Sequence, residues 1–110
     1  MATSPYNSKL GITMTRDELM PALVEYTHAI HQALETESDH LNRPRYLGHL
    51  AMAARIFMYL HLEGSREKLE QILRLENRSH AQTLPGAVAV TTRDAWRLLV
   101  PKLAAYIEQA

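Results

Sequence analysis

The amino-acid sequence predicts an all-α protein, a small four-helix domain with a long central helix. Apolar residues recur at steps of three and four in four separate segments, which is the period of an amphipathic helix. Residues that favour helix ends or turns stand between these segments. With 110 residues, 46% hydrophobic and 22% charged, the chain has the size and composition of one globular domain. We expect a single helical domain over residues 14–110, preceded by a flexible N-terminal arm over residues 1–13.

The first helix is predicted over residues 16–37. Thr15 and Glu18 have the spacing of a capping box, in which the two residues satisfy free backbone N–H groups at the helix start. Met14 precedes this cap and is placed to pack against Leu19. One apolar stripe, which we expect to face the core, consists of Leu19, Leu23, Tyr26, Ile30 and Leu34.

The second and central helix is predicted to begin near Pro44, to run to Glu63 and to stop at Gly64. Its main apolar stripe, which we expect to face the core, is Leu47, Leu50, Ala51, Ala54, Phe57, Met58 and His61. A further apolar arc is formed by Tyr46, Ala53, Ile56 and Leu60. A helix that is apolar nearly all round needs cover on more than one side, so we expect this helix to offer surface to a partner.

A third, shorter helix is predicted over residues 66–76, with Ser65 as its N-cap and with Glu70 paired to Arg74. Asn77, together with the Pro-Gly pair at residues 85–86, predicts a break in helical structure. The Ala-Val-Ala-Val run at residues 87–90 suggests a short extended segment, which would pair with its counterpart in a second chain.

The fourth helix is predicted to begin at Thr91 or Thr92. Its apolar residues again recur at helical spacing, which predicts that one face packs against the core. This face is Trp96, Leu99, Val100, Leu103, Tyr106 and Ile107.

Charge and composition argue against several classes of function. Twelve basic residues balance twelve acidic ones, so no overall positive field favours direct binding of nucleic acid. A small basic and aromatic patch around Arg43, Arg45 and Arg55 could contact an acidic protein or RNA, but local salt bridges are the favoured interpretation. The chain has no cysteine, which excludes disulfides and thiolate sites. No secretory signal or membrane-spanning run is recognisable, so we expect a cytoplasmic protein without membrane contact.

The six histidines suggest no metal site or catalytic site by their spacing. His28 and His31 lie three residues apart on the polar side of the first helix, whereas zinc sites need three or four convergent ligands. His61 is expected to be a satisfied core residue, and His49 is placed on the second apolar arc of the central helix, where it could titrate at an interface. Because no catalytic motif is present, we predict no enzyme activity and no cofactor.

Two hypotheses of function remain. The first is a homodimeric module that binds other proteins through apolar and aromatic side chains, which typically dominate interfaces. The residues expected to contact the partner are Met20, Val24, His31, Met52, Ile56, Tyr59 and Leu60. The second is a small helical protein that binds a ligand or a metal through its histidines, with His28 and His31 as the candidate ligands.

Two segments, MTRDELMPALVEYTHAIHQAL at residues 14–34 and HLAMAARIFMYLHLEG at residues 49–64, resemble the QslA-like family of small bacterial antiactivators. Members of this family sequester LuxR-type quorum-sensing regulators. The resemblance is one of the whole chain and includes no diagnostic motif. It implies a dimer that binds a transcription regulator and blocks its dimerisation and DNA binding, without contacting DNA itself.

Overall fold

The structure is a computed structural model that describes residues 14–82 and 88–109. It contains four helices, α1 Arg16–Thr36, α2 Arg43–Leu60, α3 Arg66–Gln82 and α4 Val90–Gln109. The prediction of an all-α, four-helix fold is confirmed, and no strand occurs in the described residues. The predicted N-terminal arm, residues 1–13, lies outside them. No helix in the described ranges combines the length and the apolar character needed to cross a membrane.

The four helices form a closed ring of neighbours. α1 packs against α2 and α4, and α3 packs against the same two helices. Consequently α1 and α3 lie diagonally opposite each other across the core, as do α2 and α4. The largest fully buried side chains include Tyr26, Leu19, Ile30, Ile56 and Leu99. All four helices therefore contribute to one hydrophobic core.

The start of α1 follows the local rules of helix capping. The Thr15 hydroxyl accepts the Glu18 backbone N–H at 3.2 Å and donates to the Glu18 carboxylate at 3.1 Å. Met14 and Leu19 are both buried in the core, as expected for residues that flank a cap. The predicted stripe of α1 is also confirmed, because Leu23, Tyr26 and Ile30 are buried and Leu34 is half-buried.

α2 buries the opposite arc from the one predicted. Its buried residues are Tyr46, His49, Ala53, Ile56 and Leu60, whereas most of the predicted inward stripe, including His61, is exposed. Both arcs are apolar, so apolar character alone did not distinguish them. The buried arc carries polar groups that find partners inside the bundle: the Tyr46 hydroxyl accepts the Ala89 N–H at 2.8 Å, and His49 contacts α3.

α2 ends a little earlier than predicted, and α3 runs further. Gly64 has φ of 71°, the left-handed conformation that glycine adopts readily, in the turn after α2. The Ser65 hydroxyl, with its single proton, lies within hydrogen-bond distance of the Tyr59 carbonyl in α2 and of the Leu62 carbonyl just after it. α3 continues through Asn77, so the predicted break at this residue is wrong. The Asn77 side chain accepts the Trp96 indole N–H.

Two smaller predictions for the second half of the chain also fail. Glu70 pairs with Arg66 rather than with Arg74. The extended segment considered for residues 87–90 is not formed at residues 88–90, because Val88 lies in a bend and Val90 is already helical; residue 87 lies outside the described part. The predicted inward face of α4 is confirmed, with Trp96 and Leu99 among its buried residues.

Candidate functional site

One surface of the bundle is rich in apolar side chains. We define the outer face of α2 as its exposed apolar residues, which are Leu47, Ala51, Ala54, Phe57 and Met58. Leu47 and Phe57 are each 51% exposed, and Met58 is 47% exposed. These five side chains carry no charge, and the exposed Arg55 and His61 lie beside them.

An open groove of about 610 Å³ runs beside this face, between α1 and α2. On the α1 side its walls include Val24, His28 and His31. Ala53 and Ala54 of α2 lie in the groove wall, where their small side chains leave space between the helices. The groove and the outer face of α2 share Ala54 and Phe57, so they form one continuous surface.

The residues predicted to contact a partner do not lie together. Val24 and His31 are exposed and line the groove, and Met20 is partly buried against the core. Ile56 and Leu60 are only 0% and 3% exposed, so the expectation that they belong to a surface was wrong. They lie on the arc of α2 that the bundle buries.

Met52 and Tyr59 lie on a third side of α2. Both are partly buried, and both line a small cleft together with Ile72 and Leu75 of α3. The Tyr59 ring also faces a cation, with the Lys68 ammonium 5.8 Å from its centroid. These two predicted contact residues are therefore engaged with α3 and do not lie on the outer face of α2.

A second feature, inside the bundle, is a polar cluster formed by Tyr26, His49, Glu76 and His80. Glu76 is only 4% exposed, although carboxylates are rarely buried without partners. Its Oε2 accepts the Tyr26 hydroxyl at 2.6 Å and lies 3.0 Å from His49 Nδ1. His80 Nε2 lies 2.8 Å from the Tyr26 oxygen and 3.7 Å from Glu76 Oε2. Three helices meet at this carboxylate.

The hydrogen bonds define where the protons lie in this cluster. The Tyr26 hydroxyl has a single proton, which it donates to Glu76, so His80 must donate its Nε2–H to the Tyr26 oxygen. His80 Nδ1 then carries a lone pair, and this atom is buried without a hydrogen-bond partner. Burial and the nearby His49 lower the pKa of His80 to about 4. Burial, followed by the Glu76 charge, raises the pKa of Tyr26 above its usual value.

Aromatic contacts hold the His80 ring in place. It stacks between His49, with centroids 4.4 Å apart, and Trp96, with centroids 5.5 Å apart. The Trp96 indole N–H donates to Asn77 Oδ1 at 2.8 Å. An open cleft of about 450 Å³ includes His49 and Glu76 in its wall. The cluster is therefore largely buried yet adjoins an open cleft.

This cluster was not predicted, because the third helix was expected to end at residue 76. Glu76 was placed at the end of that helix and His80 in the following loop, so their four-residue spacing on one helical face was not used. His49 was placed on the secondary arc of α2, which the structure shows to be the buried one. His28 and His31, the predicted candidate ligands, are exposed on α1 and do not belong to the cluster.

Comparison of the chain with family models, with curated proteins and with solved structures gave no match.

Proposed function

We propose that this chain is a protein–protein interaction module that acts as a homodimer through the outer face of α2 and the adjoining groove. The observation that supports this proposal is the half-exposure of three large apolar side chains, Leu47, Phe57 and Met58, on one side of α2. Helices that offer such stripes commonly pack into apolar grooves. The module needs no catalytic group and no cofactor for this role.

A second copy of the chain fits the distribution of side-chain size along α2. Ala51 and Ala54 occupy the middle of the outer face, with Leu47 at one end and Phe57 and Met58 at the other. A two-fold axis midway between Ala51 and Ala54 would place two such helices antiparallel, small residues against small ones. The Leu47 end of each helix would then meet the Phe57 end of the other, as an isologous interface requires.

The proposal is tested by the mass of the protein in solution, measured by light scattering and sedimentation equilibrium over a range of concentrations. We expect the wild type to be a dimer and Phe57→Asp to be a folded monomer, because a buried carboxylate without a partner opposes association. Leu98→Asp is the matched control, since Leu98 is 68% exposed but lies on α4. A monomeric wild type, or equal loss of the dimer in both variants, would refute the proposal.

For the protein partner we propose a LuxR-type transcription regulator, whose dimerisation the module would block. This proposal depends on the resemblance of residues 14–34 and 49–64 to the antiactivators. A purified LuxR-type regulator from the same organism should lose operator binding when the wild-type module is added. Loss of this effect in Phe57→Asp but not in Leu98→Asp is expected. If the regulator still binds its operator when the module is in excess, the proposed partner is contradicted.

A further inference from the structure

We propose that His49, Glu76 and His80 form a binding site for one divalent metal ion with the ligand preferences of Zn²⁺. Each of the three residues offers one ligand atom, and these atoms lie within 4.8 Å of one another. Two neutral imidazoles and one carboxylate are a ligand set that Zn²⁺ accepts, with a fourth position left for water. The cluster combines residues from α2 and α3, so the ion would join these two helices.

The distances between the ligand atoms are close to those around a tetrahedral ion. Zinc bonds of about 2.0–2.2 Å place neighbouring ligand atoms roughly 3.3–3.6 Å apart. In the structure the Glu76 Oε2 atom lies 3.0 Å from His49 Nδ1 and 3.7 Å from His80 Nε2. These two separations bracket the required value, and all three ligand atoms lie within 4.8 Å of one another, so the imidazoles would have to reorient to surround an ion.

The charge of Glu76 favours a cation at this position. The carboxylate is buried, and the groups that contact it are a phenol and two imidazoles. Buried carboxylates are usually balanced by a cation or a metal ion. Tyr26 already donates to Glu76 and would orient the carboxylate from outside the ligand set.

Metal binding requires a local rearrangement of the two histidine rings, and this rearrangement can be measured. His49 Nδ1 and His80 Nε2 must each give up the proton that now faces Glu76 or Tyr26, so both rings take the other neutral tautomer. The rings are nearly parallel, at 18°, whereas both ring planes must point at one ion. At least one imidazole must therefore rotate. Trp96, the single tryptophan of the chain, stacks on His80 and should report this rotation by its fluorescence.

The cluster borders an open cleft. His49 and Glu76 lie in the wall of the open cleft of about 450 Å³ between α2 and α3. His49 belongs to the buried arc of α2, not to its outer face. The metal site is therefore independent of the proposed dimer surface, and either of them can exist without the other.

The test is titration of the full-length chain with ZnCl₂ after removal of bound metal by a chelator. We expect calorimetry to give one Zn²⁺ per chain, with a rise in Tm and a change in tryptophan fluorescence at the same stoichiometry. Co²⁺ should give the visible absorption of a tetrahedral complex. Glu76→Gln and His80→Gln should each weaken Zn²⁺ binding at least tenfold, with the loss of a ligand as the cause.

The matched control removes two exposed histidines in the double variant His28→Gln/His31→Gln, which should bind Zn²⁺ as the wild type does. The wild-type titrations do not depend on the folding of any variant. The proposal is overturned if the wild type binds no Zn²⁺ at one per chain, or if binding is lost in the control variant and kept in Glu76→Gln.

Discussion

Replacing Ile56 by alanine tests which side of α2 belongs to the core. Ile56 is fully buried at 0% exposure, in the arc that the sequence alone assigned to a partner surface. Removing its side-chain carbons loses their burial and leaves a cavity that the surrounding helices fill only in part. Buried Ile→Ala changes typically cost about 2–5 kcal/mol, and for the fully buried Ile56 we expect a loss of about 3 kcal/mol.

That loss is large for a domain of this size. The free energy of unfolding of a 110-residue chain is expected to be roughly 5–15 kcal/mol. A loss of about 3 kcal/mol therefore removes a fifth to more than half of this stability. With a shift of about 4 °C per kcal/mol for a domain near this length, Tm should fall by roughly 12 °C. The free energy of unfolding is best measured by urea denaturation at a fixed protein concentration, since dimerisation would make it concentration-dependent.

Leu98→Ala is the control for this experiment, because Leu98 is 68% exposed and lies outside both the core and the proposed dimer surface. Its effect should stay within about 0.5 kcal/mol. A loss below about 1 kcal/mol in Ile56→Ala, with helix content intact, would show that Ile56 is not a core residue and would refute the assignment of the buried arc.

Three further variants probe single contacts by urea denaturation. Thr15→Ala should lower the free energy of unfolding by about 1 kcal/mol, because the Glu18 N–H loses its acceptor at the start of α1; Thr15→Ser should retain most of the stability. Tyr26→Phe should cost about 1–3 kcal/mol, since it removes the hydroxyl that joins Glu76 and His80. Gly64→Ala should cost about 1 kcal/mol through the backbone alone, because φ is 71° and an added Cβ meets no atom within 4 Å.

Each of these three predictions has a clear contrary result. Equal stability of Thr15→Ala and Thr15→Ser would show that the cap contributes nothing. A Tyr26→Phe variant as stable as the wild type would mean that the buried cluster does not depend on its central hydroxyl. Wild-type stability in Gly64→Ala would mean that the turn after α2 does not need the left-handed conformation.

The amino-acid sequence by itself determined the local features of this protein. The capping pair Thr15 and Glu18, the buried stripe of α1 and the inward face of α4 all follow from interactions between residues a few positions apart. Such interactions are visible in one helical segment, because the helical period aligns side chains three and four residues apart. The four-helix, all-α class follows from the same period.

Only the tertiary structure decided which arc of α2 faces inward. Both arcs are apolar, and the choice depends on groups far along the chain: Ala89 donates to the Tyr46 hydroxyl, and Glu76 contacts His49. The buried cluster depends in the same way on α1 and α3 meeting across the core. Burial of these polar groups is stable only when their partners are present, and partners 27 to 50 residues away have no period in the sequence.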